Sequence, residues 1–176
     1  MAECLFLRSA ATDRLSADWK RAVELAQKTL IEDFGINSHQ FIIADGSGLS
    51  RQNKVTPTVL TSLLYRLRRE KIFTRSLSIA GVDGTLRRRF RNSRCKGRII
   101  AKTGSLNRVS ALSGYVMDKK GNPSIAFSII VNGSTRGKNY NAKVLQKEIC
   151  ELLLRAVDRK ELLSSASTPQ MLRTGR

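Results

Sequence analysis

One histidine and three cysteines are present among 176 residues, and each scarcity removes a class of chemistry. A histidine-based triad would depend entirely on His39, which sits beside a turn signal and reads as an ordinary surface or packing residue. Cys4, Cys95 and Cys150 are too few and too far apart for a disulfide framework or a pair of metal ligands, so neither metal nor cofactor is expected. No run approaches 18 apolar residues, which excludes a spanning helix on length. The opening MAECLFLRSAATDRLSADWKR has acids and no basic region followed by a long apolar one, so it does not read as a secretory signal. Taken alone, that points to the cytoplasm or to a chain cut from something longer.

Acids are also scarce. Lys and Arg number 32 against 14 Asp and Glu, a formal net charge of +18. Such an imbalance concerns partners and solubility, not fold. It would attract nucleic acid, acidic headgroups or an anionic wall polymer, or it is simply a solvated basic face.

The order of elements follows from periodicity. Residues 2–11 read as a short helix with Cys4, Leu5 and Leu7 apolar. Ser16 is a plausible N-cap for the next helix, in which Trp19, Val23, Ala26, Leu30 and Phe34 recur at helical spacing until Gly35 stops it. QFIIADGSGLS begins as a short buried strand and becomes a turn of small residues. Thr56-Pro57 opens a helix with Val59, Leu60, Leu63, Leu64 and Leu67 on its core side. An irregular glycine-containing stretch follows, and between Arg87 and Arg98 it carries seven basic side chains and no acid. Beyond Gly97 the period becomes that of strands, giving three runs that can form an antiparallel meander, with a turn at residues 118–122. A last helix, roughly residues 140–157, offers Val144, Leu145, Ile149, Leu152 and Leu153 to cover it. The expected fold class is α+β, an antiparallel sheet covered by helices: one domain over residues 1–163, then a polar tail, 164–176, expected to be disordered.

Two stretches carry chemistry. In GRIIAKTGSLNRVSALSGYV, residues Lys102, Thr103, Gly104 and Ser105 lie at the end of a strand. Gly104 lets another backbone approach, so an extended ligand could add to the sheet edge. Thr103 and Ser105 share a face and can hold a terminal carboxylate. Lys102 alternates to the other face and would need a twist or bulge to aim at the same place. In ADGSGLSRQNKVTP, Asp45-Gly46 and Ser47-Gly48 make a tight turn presenting Ser50. Gln52 and Asn53 are polar groups for a pocket. An ordinary Gly/Ser loop capped by Asp45 is the alternative reading.

Together with SLSIAGVDGTLRRRF and SIAFSIIVNG, these stretches resemble the C-terminal half of the penicillin-binding D-alanyl-D-alanine carboxypeptidase/endopeptidase family, low-molecular-mass class C. The likeness covers the chain from about Ala2. It implies part of a penicillin-binding, β-lactamase-like transpeptidase domain. Such enzymes use Ser-x-x-Lys on a helix, Ser-x-Asn on a loop and Lys-Thr-Gly on a strand. The third corresponds to Lys102, Thr103 and Gly104, with Ser105 beside it. The second corresponds to Ser50, but Gln52 stands where the motif has Asn, and Asn53 lies one step on. Either could face the cleft. The first has one literal match, Ser93-Arg94-Cys95-Lys96, in the arginine-rich loop and in the wrong order along the chain.

The resemblance implies a serine-type carboxypeptidase or endopeptidase acting on peptidoglycan peptides ending in D-Ala-D-Ala. Ser50 and Lys102 would have catalytic roles, and Gln52, Asn53, Thr103, Gly104 and Ser105 would bind substrate. A chain without the nucleophile motif is expected to be inactive alone and to react with β-lactams only if a nucleophile is supplied. Localisation would be periplasmic or extracytoplasmic for part of an intact family member, cytoplasmic for a complete signal-less chain. The alternative is a non-catalytic basic protein in which Arg87, Arg88, Arg89 and Arg91 form a surface for an anionic cell-wall polymer or nucleic acid.

Overall fold

The computed structural model describes residues 2–11, 18–133 and 140–166. These fall into two compact units, Met1–Arg69 and Glu70–Arg176. Ser16, the expected N-cap, and residues 167–176 of the expected tail lie outside the described residues.

The first unit begins with helix α1, Ala2–Ser9, which has no buried residue. Helix α2, Trp19–Lys28, is capped by Asp18, whose carboxylate accepts the Arg21 N–H at 2.8 Å. An acid at this position satisfies an orphan amide and opposes the positive helix end. The apolar period continues past α2, but residues Thr29–Asp33 form a π-helical turn. Gly35, with φ of 59°, ends it. Strands β1, Phe41–Ile42, and β2, Lys54–Val55, form a two-stranded antiparallel ribbon. Helix α3, Pro57–Leu67, starts as Thr56-Pro57 predicts, with the Thr56 hydroxyl accepting the Val59 N–H. Val59, Ile36 and Phe41 form a small core joined by Leu30, Phe34, Ile43 and Leu63.

The second unit opens with helix α4, Lys71–Ser76. Its sheet has four strands in the order β3, Ser78–Ile79; β4, Ile99–Leu106; β5, Val109–Met117; and β6, Pro123–Asn132. The three longer strands are the expected meander, antiparallel throughout. The two-residue β3 is an addition that its short, irregular surroundings do not advertise. Asp118 closes the β5–β6 turn by accepting the Asn122 N–H at 2.7 Å.

Helix α5 runs Tyr140–Ala166, nine residues beyond the end its apolar period predicts. Ile99, Ala101, Leu112, Val116 and Phe127 of the sheet pack with Cys150, Leu154 and Val157 of α5. Leu86, Phe90 and Cys95, from the segment between β3 and β4, join the same core. Each fully buried large side chain there contributes on the order of 2 kcal/mol of apolar transfer. The architecture is α+β, with an antiparallel sheet covered on one face by α5.

Candidate active-site segments

Each unit contributes one of the sequence segments. In the first, the loop between β1 and β2 is organised around the Asp45 carboxylate. One oxygen accepts the Gly48 N–H at 2.7 Å and the Asn53 amide Nδ2 at 2.6 Å. The other accepts the Ser50 N–H at 2.6 Å and the Ser47 hydroxyl at 3.2 Å. Asn53 completes the frame, its Oδ1 accepting the N–H groups of Ala44 at 2.7 Å and Asp45 at 3.2 Å. Gly46 lies so close against Phe6 of α1 that no Cβ would fit there.

This arrangement divides the polar residues of the loop. Asp45 and Asn53 are spent on holding its shape. Ser50 is half-buried, and its Oγ accepts the Gln52 N–H at 3.2 Å. Gln52 has its side chain exposed. Asp45 caps the loop, as the ordinary Gly/Ser-loop reading of this stretch expects.

Partial burial by itself would push the Asp45 carboxyl up, but the hydrogen bonds from Asn53, Ser50, Gly48 and Ser47 outweigh it and hold the group below its ordinary 3.8. A depressed acid contributes stability above its unfolded value and loses it as pH falls through the lower folded one. Amide protection at Gly48 and Ser50 is therefore expected to stay level above pH 5 and to fall only below 3.8. Asp45→Asn should speed exchange at both amides about tenfold at neutral pH, as charge-assisted bonds become neutral ones. Unchanged protection, measured by hydrogen exchange and corrected for intrinsic rates, would contradict this role.

In the second unit, residues 102–105 lie within β4, which continues to Leu106 before the hairpin at Asn107 and Arg108. β3 pairs β4 only at Ile100 and Ala101. Among the described residues, no strand pairs with β4 beyond Ala101 on the side away from β5. The Ile99 carbonyl accepts the Ala80 N–H on the β3 side, whereas the Arg98 carbonyl accepts the Met117 N–H on the β5 side. Peptide groups alternate along a strand. Thr103 and Ser105 therefore turn their N–H and C=O groups to the open edge, and Lys102 and Gly104 turn theirs to β5.

The β4–β5 register is unbroken from Ile99 to Leu106, so no bulge re-aims Lys102. Its side chain emerges on the face opposite Thr103 and curls instead, placing Nζ 2.8 Å from the Thr103 carbonyl at the edge. Four flexible methylenes do what the backbone was expected to do. The Thr103 hydroxyl donates to Thr85 Oγ1 at 3.0 Å, a contact with the 3₁₀ turn Gly84–Leu86 that sequence reading missed. A cavity of about 430 Å³, lined by Val82, Asp83, Gly84, Thr85, Arg87 and Arg88, adjoins that turn. Gly104 is exposed, and a Cβ there would come within 3.2 Å of the Ala111 Cβ.

One expected feature turns out differently. Arg89 is not a surface cation: its guanidinium turns inward to Gln146 Oε1 at 2.7 Å. Desolvation lowers its pKa, and the bond to a fully buried glutamine compensates that burial. Ser93, the only serine in a Ser-x-x-Lys spacing, lies on a tight turn and not on a helix; the Lys96 N–H meets its carbonyl at 3.1 Å. Its hydroxyl donates to Glu151 Oε1 at 2.7 Å, while Lys96 is exposed.

Comparison with known proteins follows these segments. The pattern of the D-Ala-D-Ala carboxypeptidase 3 (S13) family matches residues 1–154. The D-alanyl-D-alanine carboxypeptidase of Actinomadura sp. (strain R39) is 39% identical over 111 residues, 58% of this chain and 20% of that protein. The D-alanyl-D-alanine carboxypeptidase DacB of Haemophilus influenzae is 37% identical over 133 residues, 70% of this chain and 28% of its own length. The crystal structure of penicillin binding protein 4 from Haemophilus influenzae superposes with a TM-score of 0.76 at 30% identity, covering 87% of this chain and 36% of that one. A predatory endopeptidase from Bdellovibrio bacteriovorus shares the fold, with a TM-score of 0.66 at 20% identity over 77% of this chain and 37% of that one. The chain thus spans roughly a quarter of the curated relatives it matches. It belongs to the D-Ala-D-Ala carboxypeptidase 3 (S13) family, and its α+β architecture is that of the penicillin-binding, transpeptidase-like fold.

Proposed function

We propose that this chain is the carboxylate-binding portion of a serine-type D-Ala-D-Ala carboxypeptidase or endopeptidase that acts on peptidoglycan stem peptides. The observation that carries the reading is the open edge of β4 at Thr103 and Ser105, with the Lys102 ammonium curled onto it. An extended peptide adds to that edge through the main-chain groups of the two residues. Its terminal carboxylate takes the Lys102 charge and the Thr103 hydroxyl, which turns away from Thr85 to donate to it. The Ser105 N–H is left to hold a carbonyl oxygen as negative charge develops on it.

The Ser50 loop belongs to the same reaction in this reading. Its hydroxyl helps move a proton to the departing D-alanine. Gln52, exposed where Asn53 is spent on the loop frame, is the side chain available to a substrate amide. Covalent attack requires a serine with an adjacent base, and the one Ser-x-x-Lys spacing in the sequence, Ser93 to Lys96, lies on a turn with its hydroxyl donated to Glu151. The chain alone therefore binds and does not acylate. A peptidoglycan substrate puts the working protein on the extracytoplasmic side.

Replacing Lys102 with Ala tests the binding half. Loss of one charge-assisted contact should weaken the Kd for a D-Ala-D-Ala-terminated peptide by about tenfold in a calorimetric titration. Equal affinity of the two proteins, or no measurable binding by the unaltered chain, would contradict the reading.

A further inference from the structure

The basic run between Arg87 and Arg98 splits into two sets. Arg89 and Arg98 are built into the unit: Arg89 meets Gln146, and Arg98 donates to the Met117 carbonyl at 2.9 Å and pairs with Asp158 at 3.0 Å. Arg87, Arg88, Arg91, Arg94 and Lys96 are all exposed.

The ribbon that carries them is wound from consecutive tight turns. The N–H groups of Arg87, Arg89, Ser93, Lys96 and Arg98 each meet the carbonyl three residues back. Leu86, Phe90 and Cys95 point into the core at 0 to 1% exposure, and Ser93 is tied to Glu151 of α5. Five outward cations therefore ride on a frame that is already ordered, which lowers the entropy lost when they engage a partner. Asp83 accepts the Ile79 N–H, Asp158 holds Arg98, and Glu151 holds Ser93 and Lys147, so these three acids already have partners.

We propose that this ribbon is a docking surface for a linear phosphate-bearing polyanion. Four of the five cations are arginines, whose planar forks match phosphate oxygens. The apolar residues of the ribbon all face inward, so it has nothing to insert into a bilayer. Phe90, Tyr115 and Phe127 are buried, so no ring of theirs is offered to a nucleic-acid base. What remains is recognition of repeated phosphate charge alone.

Inorganic polyphosphate is the probe, titrated over a series of salt concentrations. For a flexible strand, log K falls against log salt with a slope of about −0.7 per phosphate neutralised, so about −3.5 for five contacts. The triple variant R91Q/R94Q/K96Q should melt at an unchanged temperature and reduce that slope in magnitude by about 2, and R91Q or R94Q alone by about 0.7 each. None of these three residues lines the β4 edge, so peptide capture should be unaffected. A slope that the variants leave unchanged, or no binding at low salt, would overturn the proposal. So would tighter binding to anionic phospholipid vesicles or duplex DNA than to polyphosphate at equal phosphate concentration.

Discussion

A fluorescent penicillin is expected to leave no covalent adduct on this chain alone. The drug reacts by acylating a serine whose proton has been taken by a neighbouring base, and removing such a nucleophile lowers turnover by about 10⁶. Neither serine of interest has that base. Asn53 occupies the position three residues after Ser50 and is consumed by Asp45 and by the Ala44 N–H. Ser93 donates its hydrogen bond to Glu151, not to Lys96. Denaturing gel electrophoresis after incubation should show no labelled band, and the result should be indifferent to salt. A stoichiometric adduct would overturn the assignment, and peptide mapping would say whether Ser50 or Ser93 had reacted.

Replacing Gln146 with Leu should cost about 3 kcal/mol of folding stability. Gln146 has no solvent exposure, and one side chain satisfies two elements. Its Oε1 accepts from Arg89 at 2.7 Å, and its Nε2 donates to the Ser110 carbonyl and hydroxyl at 3.2 and 3.3 Å. Leucine fills much of the same volume but strands a partly desolvated guanidinium and a buried serine. A domain of this size has on the order of 10 kcal/mol in hand, so the loss should show as a clear drop in the urea midpoint at constant slope. Adding Arg89→Met to the Leu variant should recover part of the loss, because the stranded charge is gone. A cost under about 1 kcal/mol, or strictly additive effects, would mean that the network is not coupled. Ser110 sits opposite Ser105 in the β4–β5 register, so the same glutamine braces the hairpin that bears the candidate carboxylate site.

Where the sequence is legible, a local rule coincides with tertiary structure. Thr56-Pro57 marks the start of α3 because cap and proline act within one turn. Alternation identifies β4, β5 and β6 because one face of their sheet is buried under α5. The reading fails where the deciding partner is remote in sequence. The two-residue β3 is too short to show a period and exists through pairing with Ile100 and Ala101.

The candidate site follows the same division. Lys102, Thr103 and Gly104 announce themselves as a motif, but the openness of the edge depends on where β3 stops. Thr85, bonded to Thr103 across eighteen positions, leaves no local signal. Arg89 looks like any other arginine of its run, because its partner is fifty-seven residues away. Asn53 reads as a pocket amide until the geometry of Asp45 spends it.

The account is tested most directly by following backbone amides while a D-Ala-D-Ala-terminated peptide is titrated in. The Thr103 and Ser105 amides should shift and gain protection against exchange together, and those of Lys102 and Gly104, already turned to β5, should change little. Perturbation confined to the arginine ribbon, or Thr103 and Ser105 amides protected before any peptide is added, would contradict an open edge that receives a carboxylate-bearing strand.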